Sequence, residues 1–410
     1  MTGATATPHG GRKLGDLVRA VASPRIVEFG MLPIIVGLAL MWLYFQSQSP
    51  YFLTARNLTN LLLQISVIGT VAAGVVFVLF IGEVDLSVGS LVGLSSAIIG
   101  VLIVRSELPW WLAILLAMAI TSAIGAMQGA WSAYFGVPTF VVTLAGLLGW
   151  LGVQLHVLGT LGTVNVMTPE ILSLTTTHLP KPLGWLLVAC IAIIQALNAI
   201  RRRRKRERMG LPVGPLTSLI TRLGVVTVAA AAAVGILNQW RGVPTAALIM
   251  IGLIASLAWI VQRTRFGRNV MAVGGNAEAA RRAGINVKMT RVYVLALCAL
   301  LASIGGVLSI ARQGAASTQT GGGTLLLEAI AAAVIGGTSL FGGRGTVWSA
   351  LVGAMVMGSL SNGLDLTGQP ADIKYIVYMC VLLLAVTVDS VSRRSAANSG
   401  ARGHSNQQHR

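Results

Sequence analysis

The run LLLQISVIGTVAAGVVFVLFI, residues 61–81, decides the fold. It contains no charged residue, and about 20 apolar residues are enough to cross the roughly 30 Å hydrocarbon core of a bilayer as a helix. The chain of 410 residues shares this character, with 55% hydrophobic and only 10% charged residues and a mean hydropathy of +0.78. A soluble domain carries about 25% charged residues, so the composition excludes a water-soluble globular protein.

Eleven further apolar runs have a length suited to a membrane span. They lie near residues 29–46, 88–104, 110–130, 137–157, 183–200, 223–238, 243–262, 291–311, 325–341, 346–364 and 373–390. The runs near 88–104, 223–238 and 325–341 are short or interrupted by glycine, so each is a candidate half-helix buried among its neighbours. The sequence therefore predicts an all-α polytopic membrane protein with about 10–12 transmembrane helices.

The basic residues orient these spans. With the N-terminus in the cytoplasm, the cytoplasmic segments hold 24 of the 30 Lys and Arg residues, as the positive-inside rule requires. These segments are the N-terminal segment 1–28, the basic loop 201–222, residues 263–291, the turn at Arg344 and the tail 391–410. The tail is polar and predicted to be disordered. We therefore expect both termini in the cytoplasm and the membrane domain between residues 29 and 390.

The density of positive charge has two interpretations. A net charge of +18 would indicate nucleic-acid binding in a soluble protein, but in a membrane protein it marks cytoplasmic loops, and no nucleic-acid partner is expected. The run RRRRKRER, residues 201–208, is either a topology anchor or a contact for anionic lipid headgroups.

Motifs for catalysis are absent from the sequence. It has no GxxxxGK[ST] phosphate loop, no Ser/His/Asp set and no HExxH. Cys190, Cys298 and Cys380 lie in apolar runs without metal-ligand spacing. We expect no catalytic residue, no metal site and no cofactor. Without a loop to hydrolyse a nucleotide, any energy that the protein uses has to come from elsewhere.

The first break in the apolar pattern is GEVDLSVGS, residues 82–90. Carboxylates such as Glu83 and Asp85 are costly at bilayer depth, so they should face water or cap a helix. Asp85 or Ser87 is a candidate N-cap for the following helix, and Gly82 permits a sharp turn. A proton relay is the alternative interpretation of the two carboxylates.

A second break follows late in the chain. Glu328 stands alone in an apolar run, and five glycines fall within residues 336–345, beginning with Gly336 and Gly337. Glycine weakens a helix interior, so this stretch is not a plain helix. Interrupted segments in two halves of a transporter indicate the transport path; the alternative for Glu328 is a satisfied interhelical hydrogen bond.

A short motif hints at duplication. GVPT occurs at residues 136–139 and at 242–245, and each copy opens a long apolar run. In the predicted topology the two copies start on opposite faces of the membrane, as an inverted repeat requires. Proline is also favoured in a first helical turn, so chance remains the alternative.

The long loop 263–290 contains GGNAEAARRAGI, residues 274–285. Asn276 is a candidate N-cap, Glu278 suits the first turn of a short helix, and Gly284 can end it. An exposed helix of one or two turns has little core of its own, so it is suited to binding a groove on another protein. The alternative is a structured loop without a partner.

Several of these segments are similar to motifs of a known family. GEVDLSVGS, TFVVTLAG after Pro138, TRFGRNVMAVGGNAEAARRAGI and EAIAAAVIGGTSLFGGRGT resemble motifs of the ribose/xylose/galactose permease family, whose relatives also carry branched-chain amino acids. Glu278-Ala279-Ala280 followed by Gly284 resembles the EAA loop of ABC importer permeases, the element that docks on the ATPase subunit. The two extra hydrophobic runs that flank RRRRKRER resemble the layout of the longer xylose-type permeases.

The resemblance implies a vitamin B12-importer-like fold in a bacterial inner membrane. It implies a homodimer of permease subunits, separate ABC ATPase subunits and an extracytoplasmic sugar-binding protein, with a pentose such as xylose as solute. The implied ATPase-coupling residues are Gly274, Gly275, Asn276, Glu278, Ala279, Ala280 and Gly284. Candidates for the pathway or gate are Gln64, Gly82, Glu83, Asp85, Ser87, Thr143, Gln154, Glu328, Gly336, Gly337 and Asn362.

Two other function classes remain open at this point. One is a proton-coupled secondary transporter in which Glu83, Asp85 and Glu328 carry the protons. The other is an ABC permease for a different solute, such as a branched-chain amino acid. A membrane enzyme would need a reactive polar cluster, which the sequence lacks.

Overall fold

A computed structural model of the chain describes residues 32–405 except 212, 214 and 215. The predicted N-terminal segment 1–28 lies outside the described residues. The helices in the described part are α1 (Leu32–Gln48), α2 (Ala55–Phe80), α3 (Val88–Val104), α4 (Trp110–Phe135), α5 (Thr139–Leu158), α6 (Pro169–Thr176), α7 (Lys181–Arg208), α8 (Leu216–Leu237), α9 (Thr245–Arg263), α10 (Arg265–Gly275), α11 (Ala277–Arg282), α12 (Val287–Gln313), α13 (Leu325–Ile335), α14 (Ser349–Leu366) and α15 (Ala371–Ser405). The strands β1 (Thr163–Asn165) and β2 (Ala315–Ser317) pair antiparallel as a short ribbon.

Seven of the described helices are long and apolar enough to cross a membrane: α2, α4, α5, α7, α8, α9 and α12. Because almost all regular structure in the described residues is helical, the prediction of an all-α polytopic membrane protein is confirmed. Each of the twelve predicted runs also corresponds to a described helix, although α1, α3 and α13 are shorter.

The three runs that were predicted as candidate half-helices form helices of different lengths. The run 325–341 forms only α13, whose 11 residues span roughly 17 Å, about half of the hydrocarbon core. The run 88–104 forms the 17-residue α3. The run 223–238 lies in the 22-residue α8, so that run is not a half-helix.

Two segments that were expected to be irregular are helical. α7 continues through RRRRKRER to Arg208, and α8 begins at Leu216, so the predicted loop 201–222 is short. α15 runs to Ser405, into the tail predicted to be disordered from residue 391. The physical reason is the same in both cases, because adding residues such as Arg, Lys and Ala to an existing helix is far easier than nucleating a new one.

α2 and α12 form the centre of the molecule. Most of each helix is buried, and α12 packs along α4, α2 and α3 while α2 also contacts α14 and α13. Both helices are apolar on all faces, as expected of helices buried inside a bundle. In contrast, α7 and α8 form an exposed hairpin that packs mainly on itself and contacts the centre through α8 and α2.

The two ends of α12 define the two ends of the bundle. We call the end of the bundle where α12 begins, next to α11, the Asn276 end. We call the opposite end, where α12 finishes, the Arg312 end. Gly129 of α4 packs against Val292 near the start of α12, so the GVPT motif at 136–139 lies at the Asn276 end.

The second GVPT motif lies at the Arg312 end. The hydroxyl of Thr245 donates to Thr177 O, and Thr175 donates to Ala311 O near the end of α12. The two motifs therefore lie at opposite ends of the bundle, the arrangement of an inverted repeat.

Candidate coupling surface and solute cavity

The loop 263–290 is built from two capped helices. Thr264 Oγ1 accepts a hydrogen bond from Gly267 N (3.1 Å) and so caps α10. Asn276 Oδ1 accepts a bond from Ala279 N (2.9 Å) and caps α11, as the sequence predicts. After α11, Gly284 has φ +83°, the left-handed conformation that glycine favours. These local bonds fix the conformation of α11 although little of it is buried.

One side of α11 is open to solvent. Glu278 is exposed and forms ion pairs along its own helix with Arg281 (2.7 Å) and Arg282 (3.4 Å). Ala279 is also exposed, whereas Ala280 is only 5% exposed and packs into the core. Ala280 therefore anchors the helix, and the charged residues remain available to a partner.

The two glycine-containing breaks of the sequence, at residues 82–90 and 336–345, meet the loop 263–290 at Gly274. Gly343 N donates to Phe80 O at the end of α2 (3.0 Å). A Cβ on Gly274 would lie 2.7 Å from Gly343 N and 2.8 Å from Phe80 C. A Cβ on Gly342 would lie 2.9 Å from both Gly82 N and Gly274 O. We call Phe80, Gly82, Gly274, Gly342 and Gly343 the glycine junction.

The glycine junction joins α10 to the turns on either side of it by direct backbone contact. Because these backbones are in direct contact, no flexible side chain separates α10 from either turn. The density of glycine near residues 342 and 343 is visible in the sequence, but their backbone contacts with Gly82 and Gly274 are not predicted by it.

The stretch after Gly82 forms a buried polar cluster. Asp85 is 1% exposed, and its Oδ1 accepts bonds from Ser87 N (2.8 Å) and Ser87 Oγ (2.7 Å). Asp85 Oδ2 accepts no bond of standard geometry, and the Cys298 thiol faces the carboxylate. Thr143 Oγ1 accepts a bond from Leu86 N (3.1 Å) and so ties the turn to α5.

This geometry corrects the expected cap. Ser87 occupies the N-cap position of α3 but its side chain accepts no bond from the helix, because its hydroxyl is directed to Asp85. Asp85 binds the Ser87 amide just before α3 rather than an amide of the first turn.

Glu83 has a basic partner that the local sequence does not show. Arg291 near the start of α12 lies 2.6 Å from the Glu83 carboxylate, and both side chains are mostly buried. The partner is 208 residues away along the chain, so sequence spacing carried no signal for this pair.

A polar cavity of about 190 Å³ lies at the Arg312 end. Its lining includes Gln64, Arg312 and Ser361, and Glu328 reaches it from α13. Glu328 is 5% exposed, and Thr324 Oγ1 donates to its Oε1 (2.7 Å). Of the predicted pathway residues, Gln64 and Glu328 are thus brought together in one cavity.

A second, larger cavity of about 380 Å³ adjoins it and shares Arg312 and Gln313 with it. Its wall contains His178, Trp240 and Arg241. The two cavities therefore lie side by side at the Arg312 end.

The other pathway candidates lie elsewhere. Asn362 and Asn57 are both buried and pair through two amide hydrogen bonds (2.7 and 3.2 Å). Gln154 Nε2 donates to Ser317 O (3.0 Å) and Thr320 O (3.1 Å), so it holds the loop before α13. The following candidates also do not line either cavity: Gly82, Glu83, Asp85, Ser87, Thr143, Gly336 and Gly337.

Most of the chain is similar to known proteins. Residues 57–386 match the family described as "Branched-chain amino acid transport system / permease component". The chain belongs to this permease family. The permease is 37% identical over 367 residues to the xylose transport system permease protein XylH of Escherichia coli K12, covering 89% of the chain and 92% of that protein.

Two further relatives agree with this assignment. The permease is 36% identical to XylH of Haemophilus influenzae, covering 88% of the chain and 96% of that protein. It is 34% identical to the ribose import permease protein RbsC of Escherichia coli K12, covering 87% of the chain and 92% of that protein. No solved structure matches the chain.

Proposed function

We propose that the chain is the membrane subunit of an ABC importer for a sugar, with a pentose such as xylose as solute. Two copies form the translocation unit, separate ATPase subunits bind at the Asn276 end, and an extracytoplasmic sugar-binding protein delivers solute at the Arg312 end. The family and its relatives named for xylose and ribose transport support this proposal.

The observation that carries the proposal is the position of α11 relative to the glycine junction. α11 presents exposed charged residues outward, and α10, directly before it, contacts the end of α2 through backbone atoms. A partner that pulls on α11 therefore displaces the turns at Gly82 and at Gly342. Such a partner changes the access of the pathway only if it binds one state of the permease more tightly than the other.

The energy source in this proposal is external to the chain. The sequence has no phosphate-binding loop, so ATP is hydrolysed in the partner subunit. The chain itself is a transport component without catalytic residues, and neither a metal nor an organic cofactor takes part.

The distribution of charge supports the orientation in a bacterial inner membrane. α7 begins at the Arg312 end, where Leu179 N donates to Val243 O of the second GVPT motif, so its basic end points toward the Asn276 end, which also holds the basic residues of α10 and α11. Positive residues favour the cytoplasmic side, so the Asn276 end and both termini face the cytoplasm. The basic end of α7 then lies at the level of lipid headgroups, where anionic lipids are its partners.

The proton-coupled alternative has less support. Glu83 is paired with Arg291, and Asp85 is held by two bonds from Ser87. Protonation of Glu83 would remove its ion pair with Arg291, and Asp85, although its Oδ2 accepts no bond, lines neither cavity. Among the three carboxylates, only Glu328 lines a cavity.

The proposal is tested by reconstituting the permease in proteoliposomes with the ATPase subunit and binding protein of its own transport system. We expect ATP-dependent uptake of D-xylose, and we expect Glu278→Lys to weaken co-purification of the ATPase subunit. Glu207→Lys is the matched control, because Glu207 is an exposed acid that pairs with Arg203 (3.1 Å) on a helix far from α11 along the chain.

Two results would contradict the proposal. The first is uphill uptake by the permease alone under a proton gradient. The second is an ATPase subunit that binds the Glu278→Lys variant and the Glu207→Lys variant equally well.

A further inference from the structure

The smaller cavity at the Arg312 end contains hydrogen-bond donors that have no partner among the described residues. Arg312 is solvent-exposed and forms no hydrogen bond or ion pair with them, although Glu328 and Asp365 act on it at longer range. Thr324 and Leu325 line the cavity at the start of α13, and no side chain caps that helix. The free amides of its first turn are therefore additional donors at the same place.

The same cavity contains acceptors. Gln64 Oε1 is buried and accepts no hydrogen bond, while Gln64 Nε2 makes only a long bond of 3.4 Å to Asp365. The Glu328 carboxylate is buried, accepts one short bond from Thr324, and has the Tyr378 and Ser361 hydroxyls as neighbours. Of these acceptors, Gln64 Oε1 is the one that is buried without a partner. Because such an atom costs free energy, it favours a ligand that donates, and the free donors of the cavity favour one that also accepts.

The size and lining of the cavity select among solutes. Its volume of about 190 Å³ suits a small solute, because pockets for drug-sized ligands have volumes of about 300–1,000 Å³. Arg312 and Glu328 could also receive the two charges of an amino acid. However, Val67, Ile68 and Leu325 are the only large apolar residues among the thirteen that line the cavity, too few to enclose a branched apolar side chain.

We propose that this cavity binds one neutral polyhydroxylated solute of pentose size within a single chain, with Gln64, Arg312, Glu328 and the start of α13 as its hydrogen-bonding groups. Hydroxyl groups act as donors and acceptors at once, so one polyol can pair with both kinds of free group. This inference rests on the proposed sugar transport, and it adds where the sugar resides and which residues select it.

The site is formed by one chain, so it can be tested without the partner proteins. The full chain in lipid nanodiscs is equilibrated with radiolabelled D-xylose, and unlabelled D-xylose and L-valine are used as competitors. We expect saturable binding of one D-xylose per chain that L-valine does not displace.

A matched pair of variants tests the residues. Gln64→Leu removes the amide while nearly keeping its size, and it should weaken D-xylose binding about fivefold, the factor that corresponds to one hydrogen bond of about 1 kcal/mol. Gln239→Leu makes the same substitution at an exposed position that does not line either cavity, and it should leave binding unchanged. Ser361→Ala provides a second cavity variant with a milder expected loss.

Three outcomes would overturn the inference: no saturable D-xylose binding, equal displacement by L-valine, or a Gln64→Leu variant that binds as wild type. ATP-dependent uptake by the assembled transporter is measured in parallel. If uptake of D-xylose persists while binding to the isolated chain is absent, the site is wrong and the proposed function stands. If D-xylose is not taken up at all, the proposed function fails.

Discussion

Replacing Gly274 by alanine places a methyl group inside the glycine junction. The new Cβ would lie 2.7 Å from Gly343 N and 2.8 Å from Phe80 C, and it would lie closer still to Phe80 O. Ordinary van der Waals contact begins at 3.4 Å, so the backbones must separate by at least 0.7 Å. The hydrogen bond from Gly343 N to Phe80 O (3.0 Å) lies in the same contact and is lost.

The expected magnitude follows from these two effects. Overpacking costs about 1–3 kcal/mol and a lost hydrogen bond about 1 kcal/mol, so Gly274→Ala should lower the stability of the permease by about 2–4 kcal/mol. If the substitution destabilises one transport state by about 1.4 kcal/mol more than the other, uptake falls on the order of tenfold. Thermal unfolding of the purified protein and ATP-dependent uptake measure the two effects.

The adjacent glycine provides the control. Gly275 belongs to the same helix, and a Cβ there meets nothing within 4 Å. Alanine is a better helix former than glycine, so Gly275→Ala should be as stable as wild type or slightly more stable. If Gly274→Ala and Gly275→Ala unfold at the same temperature, backbone contact at the glycine junction does not couple α10 to the bundle.

Three other predictions follow from single contacts and from the proposed orientation. Glu83→Gln and Arg291→Gln should each lower the unfolding temperature, and a double-mutant cycle should give a coupling of about 1 kcal/mol; additive effects would mean that the ion pair contributes nothing. Asn57→Ala should cost about 2 kcal/mol in chemical denaturation, because it leaves a buried amide of α14 without its partner; an unchanged midpoint would contradict this. In a cysteine-free background, Ala279→Cys should react with an impermeant thiol reagent only in inside-out vesicles, whereas Leu161→Cys should react in intact cells. The reverse pattern of labelling would show that the permease has the opposite orientation.

Much of the conformation of α11 and its ends could be predicted from sequence because its signals are local. The cap from Asn276 to Ala279 and the left-handed turn at Gly284 involve residues a few positions apart, so residue type and spacing specify them. The buried side of α11 could not be predicted in the same way. Ala279 and Ala280 are identical in chemistry, and only packing against the core makes one exposed and the other buried.

The sequence by itself determined that the chain spans a membrane and where its helices are interrupted. Hydropathy decides the first, because a run of about 20 apolar residues crosses a bilayer as a helix. Glycine decides the second, at residues 82 and 342. Tertiary structure alone decided what meets across the bundle: the pair of Glu83 with Arg291, the glycine junction, and the cavity shared by Gln64 and Glu328. The physical reason is that a helix apolar on every face carries no local mark of the neighbour it packs against, so those contacts exist only once the whole bundle has formed.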